Sequence, residues 1–404
     1  MSQSRTLEGI KVVELSTFVA APVCARMLAD MGAQVIKIEG FKGDPWRATA
    51  KASTFTAEDE NPVFDIYNAG KQSIRLNIKH PDGVKLLMEL LADADVFVTN
   101  TRMASLKKLG LDYESLKEKF PRLIYANITG YGELGAGAND PGFDNVAFWT
   151  RSGFLLDMSI QGEGSYPVYP PTGAGDTFTG TALFSGVLAA LYQREKTGKG
   201  DYVTAALLNA GMWMMGSMVI QAQDKYQVKY PKQRSECSPF SSAYKCADGE
   251  WITITILDHD RYRAPVFEIL GVTEEMAPLE ITTQEAMKRK SAQVMPILER
   301  AFRKKPAAEW LAQLKAADVV CGIMNHMNDA TKDEQALVNG FVQDYTCHNG
   351  QVCKMPCPPT RLGSQPLPQA KSAPLAGEDT AAVLEAMGYS AEAIEQLIKD
   401  GAVS

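Results

Sequence analysis

Over its first 130 residues the chain alternates between short apolar runs and amphipathic stretches, and this alternation restricts the fold more than any other feature. Ile10-Lys-Val-Val-Glu-Leu-Ser16 reads as a buried strand. Pro22 to Ala33 then carries Val23, Met27, Leu28 and Met31 at helical spacing, and Gln34-Val-Ile-Lys-Ile-Glu39 is the next strand. A strand, helix and strand in this order imply parallel strands joined by a right-handed crossover. The pattern repeats with a strand over Ser73–Ile78, a helix over Asp82–Leu91, a strand over Asp95–Asn100, short helices over Leu106–Phe120 and a strand over Arg122–Thr129. Regular alternation of this kind predicts a doubly wound α/β domain. Residues 41–69 interrupt it with a polar, turn-rich excursion. Open α/β sheets place their ligands at the C-terminal ends of strands, so function is expected there rather than in the helices.

Gly130-Tyr-Gly-Glu-Leu-Gly135 matches the dinucleotide fingerprint formally. The fingerprint requires a helix opening within the glycines, and Ala136-Gly-Ala-Asn-Asp-Pro-Gly142 reads as a loop, so a nicotinamide site is rejected. No G-x-S-x-G elbow or Walker A loop occurs, which removes the commonest hydrolase and NTPase readings. The segment Pro170-Pro-Thr-Gly-Ala-Gly-Asp-Thr-Phe-Thr-Gly180 places Asp176 after a proline pair and two glycines, ahead of a helix expected over Thr179–Lys196. An aspartate there is most often an N-cap. The dipole and free amides of a helix start would hold it ionised with a low pKa, and an ionised carboxylate on a glycine turn also suits nucleophilic attack on an activated acyl group.

The remainder continues with a strand over Asp201–Leu207 and an apolar helix over residues 208–223, whose Met212, Met214, Met215 and Met218 read as core gap-fillers. Tyr244 to Ile256 is a hairpin around Asp248-Gly249. The expected organisation is a large domain from residues 1–226, a linker or active-site loop over 227–243, a small α+β domain over 244–330 and a return segment over 331–404. Within that last segment, residues 358–376 are proline-rich and expected to run extended, and Asp379–Ile398 reads as two short helices.

A net charge of −7 disfavours nucleic acid, and the basic run from Lys288 to Lys305 reads as a solvated helix face. The longest apolar run, Ala205–Ile220, is broken by Asn209, Gly211, Gly216 and Ser217 and reads as a buried helix rather than a membrane span. The N-terminus has no apolar signal core, so a cytoplasmic location is expected. Seven scattered cysteines do not form a disulfide framework. Cys347-His348, Cys353 and Cys357 have irregular spacing with no second pair, so no zinc site is expected.

Several stretches, taken in order, resemble the class III CoA-transferases: Leu7–Leu15, Gly32–Glu39, Asp95–Asn100, Gly130-Tyr-Gly132, Pro141-Gly-Phe-Asp144, Gly175-Asp176, Thr197-Gly-Lys-Gly200, Tyr244–Gly249 and Ala373–Thr380. The likeness spans nearly the whole chain. Within that family it looks most like the branch acting on 2-hydroxy acids, such as phenyllactate or 2-hydroxyisocaproate, in amino-acid fermentation. The resemblance implies a Rossmann-like large domain built from both ends of the chain, an inserted smaller α+β domain, and an interlocked homodimer. It places Asp176 on the catalytic aspartate, which takes acyl and CoA groups in turn as a mixed anhydride and an aspartyl thioester. Amides of the glycine turn would stabilise the oxyanions, and no metal or redox cofactor is implied, acyl-CoA and a small carboxylic acid being the substrates.

The same resemblance carries CoA contacts onto Ala20 near the thioester, Leu76 near adenine, Asn100 and Thr101 in the groove, Lys108 at phosphate and Tyr131 along the pantetheine. Formyl-transferring members have a glutamine at the position of Val19 and a glycine-rich run at Arg234–Phe240, differences that suit a larger, more apolar acid. Those members' phosphate-binding arginine is Gly40 here, and Arg47 is the expected substitute. Two rival functions remain. An α-methylacyl-CoA racemase needs a His beside Asp144, where this chain has Phe143. A non-catalytic CoA-binding protein would not require the carboxylate of Asp176.

Overall fold

The computed structural model describes residues 5–54, 60–158, 167, 170–226 and 228–404. Residues 55–59 of the polar excursion and Gln227 of the expected linker lie outside them. The chain divides into two compact units, one of Met1–Phe154, Pro170–Ile220 and Asp333–Ser404, the other of Leu155–Tyr169 and Gln221–Lys332.

The first unit is doubly wound. Strands β1 (Lys11–Leu15), β2 (Gln34–Glu39), β3 (Gln72–Arg75), β4 (Val96–Thr99), β5 (Ile124–Thr129) and β6 (Tyr202–Ala206) form one six-stranded sheet in the order β3-β2-β1-β4-β5-β6. All pairings are parallel. The order reverses between β1 and β4, so the loops after these two strands flank the crevice where such sheets bind ligands. Both faces of the sheet are covered, which is why β4 is buried along its whole length and reads as a continuous apolar run.

Helices α1 (Ala20–Asp30), α2 (Pro45–Thr54), α3 (Pro62–Asn68), α4 (Pro81–Ala92), α5 (Met103–Leu109) and α6 (Tyr113–Leu116) fill the crossovers. The excursion after β2 therefore carries two helices, α2 and α3, where the sequence suggested turns; their short proline-led starts leave little helical periodicity to read. After β5 come a 3₁₀ turn (Ala136–Asn139), a turn of π-helix (Asp144–Thr150) and α7 (Phe154–Asp157), then α8 (Ala174–Thr197), α9 (Leu207–Met214) and α10 (Gly216–Gln221). The loop after Gly135 opens no long helix, in keeping with the rejection of the dinucleotide fingerprint.

The hairpin of β10 (Val342–Thr346) and β11 (Val352–Pro356) and two closing helices, Thr380–Ala386 and Ala391–Lys399, complete this unit. Val383, Leu384, Ile394 and Val403 join Val13, Ile38, Ile74, Leu86 and Phe97 in one core. The second unit has an antiparallel sheet of β7 (Ser241–Lys245), β8 (Trp251–Thr255) and β9 (Cys321–Ile323), with Gly249 at φ 90 in its first turn. Tyr244, Ile252, Ile254, Leu298, Phe302 and Trp310 centre its own core.

The reading of Ala205–Ile220 as a buried helix, with its methionines in the core, is corrected: Ala205 and Ala206 end β6, and α9 and α10 follow. Met215 is buried, but Met212, Met214 and Ile220 are exposed and Trp213 is 80% exposed. Sequence gives the apolar character of this stretch; in a single chain it faces outward. Among the described residues no helix is long and apolar enough to cross a membrane.

Candidate active site

Asp176 belongs to the first turn of α8, not to its cap. The N-cap is Gly173, whose φ of 78 is readily available to glycine. The helix begins five residues ahead of its expected start because Pro171 lies outside it and glycines do not break a first turn held from elsewhere. That hold comes from Asp144, at the head of the π-helical turn, whose Oδ2 accepts the Gly173 amide at 3.0 Å. The amide of Ala174 is engaged by the Pro171 carbonyl at 3.2 Å. The amides of Gly175 and Asp176, expected to meet an oxyanion, are turned toward the Asp144 carboxylate and interact with it here.

Glycines make the crowding possible. A Cβ on Gly175 would lie 2.3 Å from Asp144 Oδ1 and 2.5 Å from Phe148 Cγ, and one on Gly180 would lie 2.2 Å from the Ala20 carbonyl oxygen. Gly175 thus lets α8 abut the π-helical turn, and Gly180 lets it lie directly on α1. The outcome for Asp176 is electrostatic. Burial raises its pKa to about 7, and the like charge of Asp144 adds to the effect. The low pKa expected from the helix dipole is therefore corrected: desolvation and Asp144 outweigh the dipole. Burial raises Asp144 too, opposed by the Trp149 indole and by the Gly173, Asp176 and Gly175 amides.

An aromatic wall stands over this helix start. Tyr67 interacts with the Thr177 side chain, and its hydroxyl lies 3.3 Å from where a Gly173 Cβ would be. Trp46 stacks at a tilt 6.5 Å from Tyr67 and 6.4 Å from Phe18, and Phe18 meets Phe143 edge-on at 5.1 Å. Phe18 holds a φ of 64, unusual for a bulky residue and fixed here by Asp44, whose Oδ1 accepts the amides of Phe18 at 3.1 Å and Trp46 at 2.9 Å. Asp44 is fixed in turn by Lys37 at 2.9 Å, which also meets Glu14 at 3.0 Å, while Lys71 reaches the other Glu14 oxygen at 2.7 Å. These charges are buried at the strand ends, paired with one another as burial demands. Phe18, Trp46 and Tyr67 carry no motif in the sequence; the one signal for the last two is the position of their segment after a strand.

Of the residues expected to meet CoA, Asn100 and Thr101 sit at the switch point. Asn100 Nδ2 donates to the Thr17 carbonyl at 2.7 Å, its Oδ1 accepts the Thr17 amide at 3.0 Å, and Thr101 donates to the Leu15 carbonyl at 3.3 Å. Ala20 opens α1 and is buried against α8. Lys108 is exposed in the last turn of α5. Tyr131 lines an open depression of about 410 Å³ with Thr129, Glu133 and Met212, and the Arg151 guanidinium lies 4.8 Å from its ring. Leu76 is buried in the core, and its amide donates to the Glu39 carbonyl at 2.8 Å. Arg47, the expected substitute at phosphate, has other partners here: its guanidinium grips Glu39 at 2.6 and 2.9 Å, donates to the Pro374 carbonyl at 3.0 Å and lies 4.0 Å over Phe64. Burial opposes charge on Glu39, yet Arg47, Lys37 and Ser73 hold its pKa at about 2.

The profile described as CoA-transferase family III matches residues 7–380. The chain is 35% identical to the (R)-2-hydroxy-4-methylpentanoate CoA-transferase of Clostridioides difficile, over 98% of this chain and 99% of that enzyme. It is 36% identical to the cinnamoyl-CoA:phenyllactate CoA-transferase of Clostridium sporogenes, over 99% of this chain and 97% of that one. Among solved structures, a CAIB/BAIF family protein from Brucella suis superposes with a TM-score of 0.79 at 28% identity, over 95% of this chain and 100% of that one.

Proposed function

Because the chain belongs to CoA-transferase family III, we propose that it moves CoA from an acyl-CoA to a 2-hydroxy acid with an apolar side chain, with Asp176 as the nucleophile. The observation that carries this reading is the pairing of Asp176 and Asp144 at a glycine-opened helix start beneath the wall of Phe18, Trp46, Tyr67 and Phe143. A carboxylate with a raised pKa is a stronger nucleophile than an ordinary one once ionised. Asp176 attacks the thioester carbon, the C–S bond breaks, and CoA leaves as thiolate from a mixed anhydride. The thiolate attacks the aspartyl carbonyl and expels the original acyl group as its carboxylate, leaving aspartyl-CoA. The incoming acid attacks that thioester, the thiolate departs again, and its attack on the new acyl carbonyl frees Asp176. Each step exchanges carboxylate for thiolate with no change of oxidation state, so the proposed reaction calls for no metal and no redox cofactor.

The two relatives named for a 2-hydroxy acid support that acceptor class, and aromatic walls favour branched or aryl side chains over a second carboxylate. Phe143, 56% exposed, stands where the racemase reading requires a His. A homodimer is proposed as well, supported by the outward apolar face of α9 and α10 and by the family likeness; residence in the cytoplasm is proposed with it. The contacts of CoA with Ala20, Asn100, Thr101, Lys108 and Tyr131 remain part of the same proposal. Incubation with acyl-CoA alone, followed by hydroxylamine, tests the mechanism: inactivation that needs acyl-CoA and a hydroxamate on Asp176 are expected. Full exchange activity in Asp176→Asn would refute it, and rapid α-deuterium wash-in to a 2-methylacyl-CoA would favour the racemase.

A further inference from the structure

Sequence spacing gave no reason to group the cysteines of the β10–β11 hairpin, but its register does. Tyr345 pairs with Cys353, so Cys347, two residues beyond Tyr345, shares a face with Cys353 on the diagonal. Their sulfurs lie 3.4 Å apart, and Cys353 Sγ lies 3.4 Å from Glu60 Oε1, brought in from the chain just ahead of α3. The three donor atoms all fall within 4.8 Å of one another. Asn349, in the hairpin turn, donates to the other Glu60 oxygen at 3.3 Å and so orients the carboxylate. Cys347 is buried, and Ile66, Met355 and Ala370 form an apolar shell beside the pair. His348 and Cys357 are not members: the His348 ring meets the Ala373 carbonyl at 2.7 Å, and the Cys357 amide bonds to Phe341.

We propose that Cys347, Cys353 and Glu60 form a site for a thiophilic divalent cation such as Zn²⁺ or Cd²⁺, clipping the hairpin to the start of α3. With metal–sulfur bonds near 2.3 Å and a metal–oxygen bond near 2.0 Å, tetrahedral ligation needs donors roughly 3.8 Å apart for the sulfur pair and roughly 3.5 Å for sulfur and oxygen. The sulfur pair and the Cys353–Glu60 pair, both 3.4 Å apart, are within a few tenths of an ångström of these, and Cys347 and Glu60 place their donors within 4.8 Å. Two thiolates and a carboxylate select soft over hard cations, and the fourth position is left to water. Binding replaces the S–H protons, one from each thiol, so uptake releases protons and tightens as pH rises.

The test uses the full-length protein, kept reduced with a phosphine, and titrates Cd²⁺ alone. Expected are one equivalent bound, a thiolate-to-cadmium charge-transfer band in the ultraviolet, proton release to an indicator dye, and competition by Zn²⁺ in excess. Cys347→Ser and Cys353→Ser should each abolish the band, and Glu60→Gln should weaken binding at least roughly tenfold. The inference is overturned if the wild type shows no band, if the band survives Cys353→Ser, or if Glu60→Gln binds as tightly as the wild type. It is also overturned if the pair forms a disulfide in air while the reduced protein takes up no metal.

Discussion

The raised pKa of Asp176 makes a prediction that separates a nucleophile from a helix-end carboxylate. With a pKa of about 7, about a tenth of Asp176 is ionised at pH 6 and about nine-tenths at pH 8. The kcat/KM for acyl-CoA, which reports the free enzyme, should therefore rise about tenfold across that interval and level off above it. Asp144→Asn removes the like charge while its amide oxygen can still accept the Gly173 amide. The rising limb should then move to lower pH without reaching the ordinary carboxylate range, since burial remains the larger cause. Stability carries the opposite sign. The folded pKa lies above the unfolded value, so the folded state holds more protons between about pH 4 and 7 and loses stability as pH rises through that window. Asp176→Asn escapes this loss and should gain on the wild type by about 2–3 kcal/mol between pH 5 and 8 in urea denaturation, while losing nearly all exchange. A flat kcat/KM profile from pH 5.5 to 8, or a variant whose advantage does not grow with pH, would refute the electrostatic account of the site.

Gly175→Ala should leave a folded protein with exchange reduced at least a hundredfold, because the new methyl collides with Asp144 and Phe148; wild-type kcat would show that the close approach does not matter. Lys37→Met strips Glu14 and Asp44 of a shared buried partner and should destabilise the fold by about 3–5 kcal/mol, read from the shift in urea midpoint. Trp213→Glu should shift the protein toward monomer in sedimentation velocity, while an unchanged dimer would place the subunit interface on another face.

The sheet was legible because its central strands are buried on both faces and bounded by helices of regular period, so Val12–Val13, Val35–Ile36 and Val96–Val98 leave apolar marks in the sequence. Other features depend on partners far along the chain. The first turn of α8 starts where Asp144 holds Gly173, and no local propensity would place a helix over Ala174-Gly175. The methionines of α9 read as core because amphipathic patterning reports that a face is apolar, not what covers it. The grip of Arg47 on Glu39, at the end of β2, likewise carries no signal in the sequence.

The buried charges show most directly how the fold sets the site. Glu14 and Lys37 lie on neighbouring strands β1 and β2, in paired register, and either alone would be costly to bury. Together with Lys71 and Asp44 they balance, and the balance has a direction: Asp44 keeps an oxygen for the Phe18 and Trp46 amides. A hydrophobic replacement of the cluster could stabilise the sheet as well or better. It would not hold Phe18 at positive φ against Phe143, nor Trp46 within reach of Tyr67. The polar network is thus best understood as a means of fixing the aromatic wall, its cost in desolvation offset by a loop conformation that no local sequence preference would supply.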